Sequence, residues 1–327
     1  MHAFGVKTLF LKILSKPLFK MLLKRLFQLI GVSWGVGTLT FVLMRALPGD
    51  IAYRIAAGRY GQDAVDTQAA DSVRNELGLD GSAWSAYWQW LQDLLQWNLG
   101  TSLVSGSPVA AELWHMLGHS ILLAGVGMLL AALIAIPLGL ATAYWQGWLD
   151  RISLMVSITV RSVPVFVIGL LAIVVFALEL NWFPVAGFGT ASHLALPALT
   201  LALSLAAISN RIVSVEAKRV FNSPFFEFAQ TKGLSAWQAF THHGLRNIAV
   251  PVIAFFGVQL ITVVEGVVMI ESLFSWPGIG HGLAHAIFSR DIPVIQGAAL
   301  MMGALFVVLN TLVDIACYYL DPRGESL

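Results

Sequence analysis

Two charged side chains stand inside runs of apolar residues: Arg161, in VSITVRSVPVF, and Glu265, in LITVVEGVVMI. Each costs about 2.5–3.5 kcal/mol at the centre of a membrane helix, so neither is expected to face lipid. Entered from the same membrane face they lie roughly 10 and 17 residues deep, a difference of about 10 Å at 1.5 Å per residue. A direct pair would need a long arginine reach or a tilted helix. The two charges therefore either line a polar path through the membrane, or are a structural pair or a snorkelling arginine. A second group is rich in histidine. Glu112, His115 and His119 recur at i, i+3, i+7 on one helical face, and His281 with His285 at i, i+4. Imidazole suits nickel, which makes these five the candidates for a metal; the competing reading is interfacial polar residues at span ends, and no metal site is assigned. Catalytic signatures are missing: there is no GxxxxGK[ST] phosphate loop, no HExxH and no GxSxG. The single cysteine, Cys317, lies in an apolar run and reads as a small buried residue.

The elements that would position these groups are membrane helices. The chain has 327 residues, 57% of them hydrophobic and 11% charged, against about 25% charged in a soluble domain. Residues 1–24 are basic and amphipathic, with Lys12, Lys16, Lys20 and Lys24 on one stripe. They predict an in-plane surface helix broken at Pro17, with Met21 as an alternative start. A first span covers 25–47 and a polar, acidic region covers 48–119, where Trp84, Tyr87, Trp88, Leu91 and Leu95 recur at helical spacing. That stripe predicts a helix lying against the membrane or packed on the spans. Five further spans are expected near Ser120–Tyr144, Ile152–Leu178, Leu194–Ile212, Ile248–Ile270 and Val294–Tyr318, with kinks at Pro137, Pro164 and Pro197 and close helix approach at Gly125, Gly127 and Gly139. Trp114, Trp145, Trp148 and Trp182 fall at proposed span ends. With the N-terminus in the cytoplasm, 13 Lys and Arg fall on the cytoplasmic side and five on the other. That bias sets the orientation and puts both termini in the cytoplasm.

One polar island interrupts the apolar pattern, Phe225 to Pro251, reading FFEFAQTKGLSAWQAFTHHGLRNIAVP. Its local chemistry spells two short helices. Ser223 is a candidate cap, Pro224 suits a first turn, and Glu227 and Lys232 match the two ends of the helix dipole. Gly233 is a natural stop, Ser235 with Gln238 has capping-box spacing, and Gly244 is expected to close the second helix. The charge count places this elbow in the cytoplasm.

At the level of motifs the chain resembles the permease subunits of the dipeptide, oligopeptide and nickel branch of ABC importers. The resemblance rests on LTFVLMRALPGD, NELGLD and LGTSL near the front, EFAQTKG followed by HGLRNIAVPVI in the elbow, and GVVMIESLFSWPGIGHGL, SRDIPVIQGAAL and LVDIACYYLDPR in the last third. It runs from about Lys24 to Arg323. Thr231, Asn98 and Glu265 depart from the family pattern. The resemblance implies an all-α integral membrane protein of the inner membrane, with six transmembrane helices in the type I importer permease fold. The first span would be followed by an extracytoplasmic region, and residues 120–323 would form the transmembrane domain. The coupling loop would lie at about 213–247, ahead of a short tail at 324–327.

The same resemblance implies that the elbow couples to a cytoplasmic ATPase through Phe226, Glu227, Ala229, Lys232, Gly233, His243, Arg246 and Asn247. Ala229 and Gly233 would allow close approach, and Glu227 and Lys232 would make polar contacts. This chain would bind no cofactor, ATP and Mg being held by the partners. Those partners would be a second permease subunit, two ATP-binding subunits and an extracytoplasmic substrate-binding protein, with no nucleic acid. Arg161 and Glu265 are then candidates for the translocation path of a peptide, a nickel complex or a glutathione-like cargo. The alternative is a self-sufficient proton-coupled secondary transporter using Glu265 or Asp314.

Overall fold

The computed structural model describes residues 16–46, 49–61, 66–77 and 82–320, and all the named elements among them are helices. Five of these helices are long and apolar enough to cross a membrane, and a sixth span results if one sharply bent pair is counted. The first, α1 (Lys16–Ala46), is continuous. The expected in-plane surface helix of residues 1–24, with its break at Pro17, lies largely outside the described residues, of which Lys16 to Lys24 continue without interruption into the rest of α1. At 1.5 Å per residue its 31 residues reach about 46 Å, more than the ~30 Å hydrocarbon layer. Lys20, Lys24 and Arg25 sit on this end of the helix.

Four helices follow: α2 (Ile51–Tyr60), α3 (Thr67–Leu77), α4 (Ala83–Leu95) and α5 (Val109–Tyr144). The last is 36 residues long and begins well before the expected Ser120, carrying Glu112, His115 and His119 on its first turns. Next, α6 (Trp148–Ser162) and α7 (Val165–Ala172, running on as a π-helical stretch to Glu179) were expected as one kinked span. They are bent by 100° at Val163-Pro164. Proline disfavours helical backbone in the residue before it, and Val163 is extended (φ −94°, ψ 129°). This span is broken rather than kinked. Pro137 and Pro197, in contrast, lie inside continuous helices, α5 and α8 (Ala191–Phe221). The elbow helices α9 (Pro224–Thr231) and α10 (Ala236–Ala239) come next, then α11 (Leu245–Gly266), α12 (Val268–Leu273), α13 (Ile279–Ser289) and α14 (Ile292–Leu320).

The chain divides into two compact units. Among the described residues, one comprises those up to Leu117 with Gly282–Thr311; the other comprises Gly118–His281 with 312–320. In the first unit, α2 and α3 share a small core of Ala52, Ile55, Ala56 and Val73. Asp50 caps α2 by accepting from the Ala52 N–H at 2.9 Å and pairs with Arg74 at 2.5 Å. Burial opposes the charged form of Asp50, but the Ala52 hydrogen bond and the Arg74 guanidinium outweigh it and hold the carboxyl below its usual value of 3.8. Three separate motifs of the sequence meet at the adjacent residues Arg290 and Asp291. The buried Asp291 carboxylate accepts from Ser102 Oγ (2.5 Å), the Leu103 N–H (3.1 Å) and the Val104 N–H (3.2 Å). The adjacent Arg290, at φ +54°, donates to the Gly49 carbonyl at 2.9 Å. PGD, LGTSL and SRDIP are thus the three sides of one polar knot.

In the second unit, hydrogen bonds between small polar side chains tie the spans together, as expected where apolar packing alone gives no preference over lipid. Thr142 of α5 donates to Ser214 of α8 (3.0 Å), Asn210 of α8 bonds Ser153 and Ser157 of α6 (3.2 and 3.0 Å), and Ser209 donates to Gln259 of α11 (2.8 Å). Gly127 and Gly139 sit where α5 meets Leu201 and Val213 of α8, while Gly125 faces open space.

Candidate functional site: the elbow and the broken span

The elbow is folded onto the ends of the spans by its own apolar side chains. Phe226, Ala229, Ala239 and Phe240 join Ala143, Val213, Ala217, Val220, Ile248 and Val252 in one buried cluster. Two of the expected coupling residues, Phe226 and Ala229, are therefore buried within this chain and position the elbow. Glu227, Lys232, Gly233, His243, Arg246 and Asn247 remain exposed on its surface. Between them lie side chains that the sequence reading did not single out: Phe225 and Leu245, Phe228 (60% exposed) and Trp237 (71% exposed). The Lys232 ammonium lies 4.6 Å from the centre of the Phe228 ring, a cation–π contact that keeps both groups on the same surface. The residues at i and i+3 of a short amphipathic helix look inward, and their neighbours look out.

The local stops and starts are specific. Gly233, at φ +94°, ends α9: its N–H donates to the Gln230 carbonyl (2.8 Å) and that of Leu234 to the Ala229 carbonyl (3.3 Å). That is the paired hydrogen-bond pattern of a Schellman stop. Ser235 and Gln238 form both bonds of the capping box. Two expectations fail. The Ser223 hydroxyl does not cap α9 but donates back to the Val220 carbonyl at 2.5 Å. Gly244 does not close the second helix. It is helical (φ −78°), lies in a π-helical turn Phe240–Gly244, and the chain continues through it into α11. Gly244 instead permits close packing, since a Cβ there would come within 3.3 Å of Val220 and Phe240. Beside the elbow, Asp150 on the first turn of α6 pairs with Arg211 (2.8 Å) and Lys218 (2.5 Å) of α8, fastening that end of the spans. The departure Thr231 is accommodated, its hydroxyl donating to the Phe228 carbonyl at 2.8 Å.

Arg161 occupies the last turn of α6, two residues before the break, and is exposed on this chain. A cation there also complements the negative end of the helix dipole. Glu265 belongs to α11, but its side chain lies outside the described residues, as does that of Cys317. The structure therefore neither pairs nor separates Arg161 and Glu265. Asp314 lies within α14.

A buried carboxylate that was legible only as a motif letter is the most elaborate polar site of this unit. Glu271, with 0% exposure, accepts from Ser120 Oγ (2.5 Å), the Gly280 N–H (2.8 Å) and the His281 N–H (3.2 Å). Ser120 Oγ in turn accepts from the Ile279 N–H at 2.8 Å. The carboxylate thus satisfies the open N–H groups at the start of α13, where a negative charge is favoured. Gly278 makes room for it: a Cβ there would stand 2.0 Å from the carboxylate oxygen. The Gly278-Ile279-Gly280 triplet is an approach to a carboxylate, not to a phosphate.

The histidine candidates disperse into ordinary contacts. Glu112 accepts from Ser105 Oγ at 2.6 Å. The His119 ring lies 4.6 Å from Phe188 and 5.9 Å from Trp276, whose indole N–H donates to the His119 carbonyl. His281 gives its N–H to Glu271, and His285 sits exposed on α13 with its carbonyl accepting from Ser289. Among the described residues no three His, Cys, Asp or Glu side chains gather as metal ligands would.

Comparison with known proteins agrees with this geometry. Residues 135–325 match the family described as binding-protein-dependent transport system inner membrane component, and residues 18–110 match its N-terminal companion. The chain is 34% identical over 301 residues to the glutathione transport system permease protein GsiC of Escherichia coli K12, covering 92% of this chain and 97% of that protein. It is 35% identical, with the same coverage, to GsiC of Pectobacterium atrosepticum. A chain of apolar spans, joined by a capped elbow and matched along its length by such permeases, belongs to the binding-protein-dependent transport system inner membrane components: it is a multi-pass permease subunit of an ABC importer.

Proposed function

We propose that this subunit imports a short peptide or glutathione-like molecule, in a pair with a second permease. Two ATP-binding subunits would carry ATP and Mg, and an extracytoplasmic binding protein would deliver the cargo. The elbow Pro224–Gly244 would face the cytoplasm and seat in a groove of one ATPase subunit. The observation that carries this reading is the elbow's division of labour. Its buried side chains lock it to α5, α8 and α11, while Phe228, Trp237, Glu227 and Lys232 are left exposed on its outer surface. A helix held rigidly at one face and aromatic at the other transmits displacement to the spans. Exposed aromatic side chains of this kind are the usual anchors of a protein interface. The names of the two relatives support the cargo class, and Arg161, beside a break in its span, suits a carboxylate-bearing cargo.

The test is co-purification and uptake. Phe228→Ala with Trp237→Ala should leave the permease inserted at normal levels, lose most ATPase subunit on purification and abolish ATP-driven uptake. Full ATPase recovery and normal uptake would overturn the assignment of this face. Transport by the chain alone in liposomes under a proton gradient would favour a secondary carrier instead.

A further inference from the structure

Helix α4 buries none of its residues within this chain. At 100° per residue its apolar side chains fill one arc, and that arc is used twice. One half packs on α1: the Tyr87 hydroxyl shares a hydrogen bond with Thr38 Oγ1 at 2.9 Å. The Tyr87 and Trp90 rings lie 5.3 and 6.2 Å from Phe41, and Trp90 fills the space beside Gly37. The other half, Trp84, Trp88 and Leu95, turns away and is 67%, 47% and 76% exposed. The opposite arc carries Ser85, Gln89, Gln92 and Asp93, and the helix has neither Lys nor Arg.

We propose that the Trp84–Trp88–Leu95 stripe is immersed in the bilayer, at the boundary between phospholipid headgroups and acyl chains, and anchors the region after the first span to the membrane surface. Depth argues for it. The residues that α4 touches, Gly37 to Phe41, lie near the end of the candidate span Phe19–Leu43, in the uncharged stretch that follows Arg25. Charge returns at Arg45, whose guanidinium lies 4.9 Å from the Phe41 ring. A helix seated on those turns lies in the interfacial layer. Leu39, Val42 and Leu43 of the same stretch are exposed as well, so the apolar surface of the span and that of α4 meet at this level. Indole is the side chain that prefers this layer, with its ring in the apolar boundary and its N–H toward water. The amphipathic form of α4, without a basic residue, suits insertion by shape and apolar area, independent of anionic lipid.

Single nitroxide labels at positions 84, 88, 95 and 89, each as a cysteine in a Cys317→Ala background, can be compared in the whole importer in nanodiscs of phosphatidylcholine. Oxygen accessibility should exceed that of a water-soluble nickel chelate at 84, 88 and 95, with the order reversed at 89. High nickel accessibility along the stripe would show it in water, and low accessibility to both would show it covered by another protein chain; either overturns the proposal. The unaltered importer supplies an independent reading that no labelling defect can spoil. A phospholipid with a photoreactive group near its headgroup should leave adducts on Trp84, Trp88 or Leu95, and their absence when other span ends are modified would overturn it equally.

Discussion

Removing the Glu271 carboxylate should loosen the second unit more than any other single truncation of a polar side chain. In Glu271→Ala three donors lose their acceptor: Ser120 Oγ–H and the N–H groups of Gly280 and His281. At about 1–3 kcal/mol per buried unsatisfied group the loss is roughly 3–9 kcal/mol, and entry of a water into the vacated space brings it toward the lower end. Glu271→Gln preserves the shape. Its amide oxygen can still accept from the two backbone groups, and its NH2 can donate to Ser120 Oγ. What it loses is the acceptor of the Ser120 O–H and the negative charge at the N-terminus of α13, the latter about 0.3–2 kcal/mol. Gly278→Ala should copy Glu271→Ala, because the added Cβ would stand 2.0 Å from the carboxylate oxygen and displace it. The apparent thermal midpoint of the purified importer, taken at one scan rate because unfolding of such assemblies is under kinetic control, should fall in the order wild type, Glu271→Gln, Glu271→Ala. The double variant Glu271→Ala/Gly278→Ala should be no worse than either parent, since both remove the same network. An unchanged midpoint in Glu271→Ala, or additive losses in the double variant, would refute the capping argument.

Three further outcomes are expected. Gly233→Pro cannot adopt φ +94° and removes the N–H given to Gln230; ATP hydrolysis should continue while uptake is lost, and normal uptake would contradict a rigid elbow. Arg161→Gln should weaken uptake of a cargo bearing a free carboxylate and spare an amidated analogue, at normal protein levels; equal effects on both would exclude a direct role in the path. The Asp50 carboxyl is depressed in the folded state, so its contribution to α2 is complete above the unfolded value of about 3.9 and is lost as pH falls through the lower folded value. Amide exchange in Ile51–Tyr60 should therefore speed up below about pH 4, only modestly because the pair with Arg74 is partly exposed. Asp50→Asn should flatten this pH dependence, and an unchanged profile would remove Asp50 as its cause.

What could be read in advance follows the range of the interaction. The Gly233 stop and the Ser235–Gln238 box were legible because a few adjacent residues determine them, and the apolar spans because periodicity and length do. The 100° break at Pro164 was read as a kink: a proline marks the place, but the angle is decided by packing around it. Gly244 misled for a related reason. Glycine serves both to stop a helix and to let another side chain approach, and only the positions of Val220 and Phe240 tell which. Glu271 and Asp291 were visible only as letters in motifs, since Ser120 is 151 residues from the first and Ser102 is 189 from the second. The outward aromatic face of the elbow was missed because Phe225, Phe226 and Phe228 carry the same hydrophobicity, and only the fold separates the inward one from the others.

The π-helical turn Phe240–Gly244 sets the elbow's angular phase. A turn of this kind holds one residue more than an α-helical turn, so it rotates everything before it by about 100° about the axis of α11 relative to an unbroken α-helix. Rewinding it as α-helix with no change of length would keep the helix continuous, yet turn Phe228 and Trp237 about a quarter of a revolution away from their present heading. The winding of this stretch is thus a property separate from its composition. An elbow grafted between permeases would have to carry that turn with it, or arrive facing the wrong way.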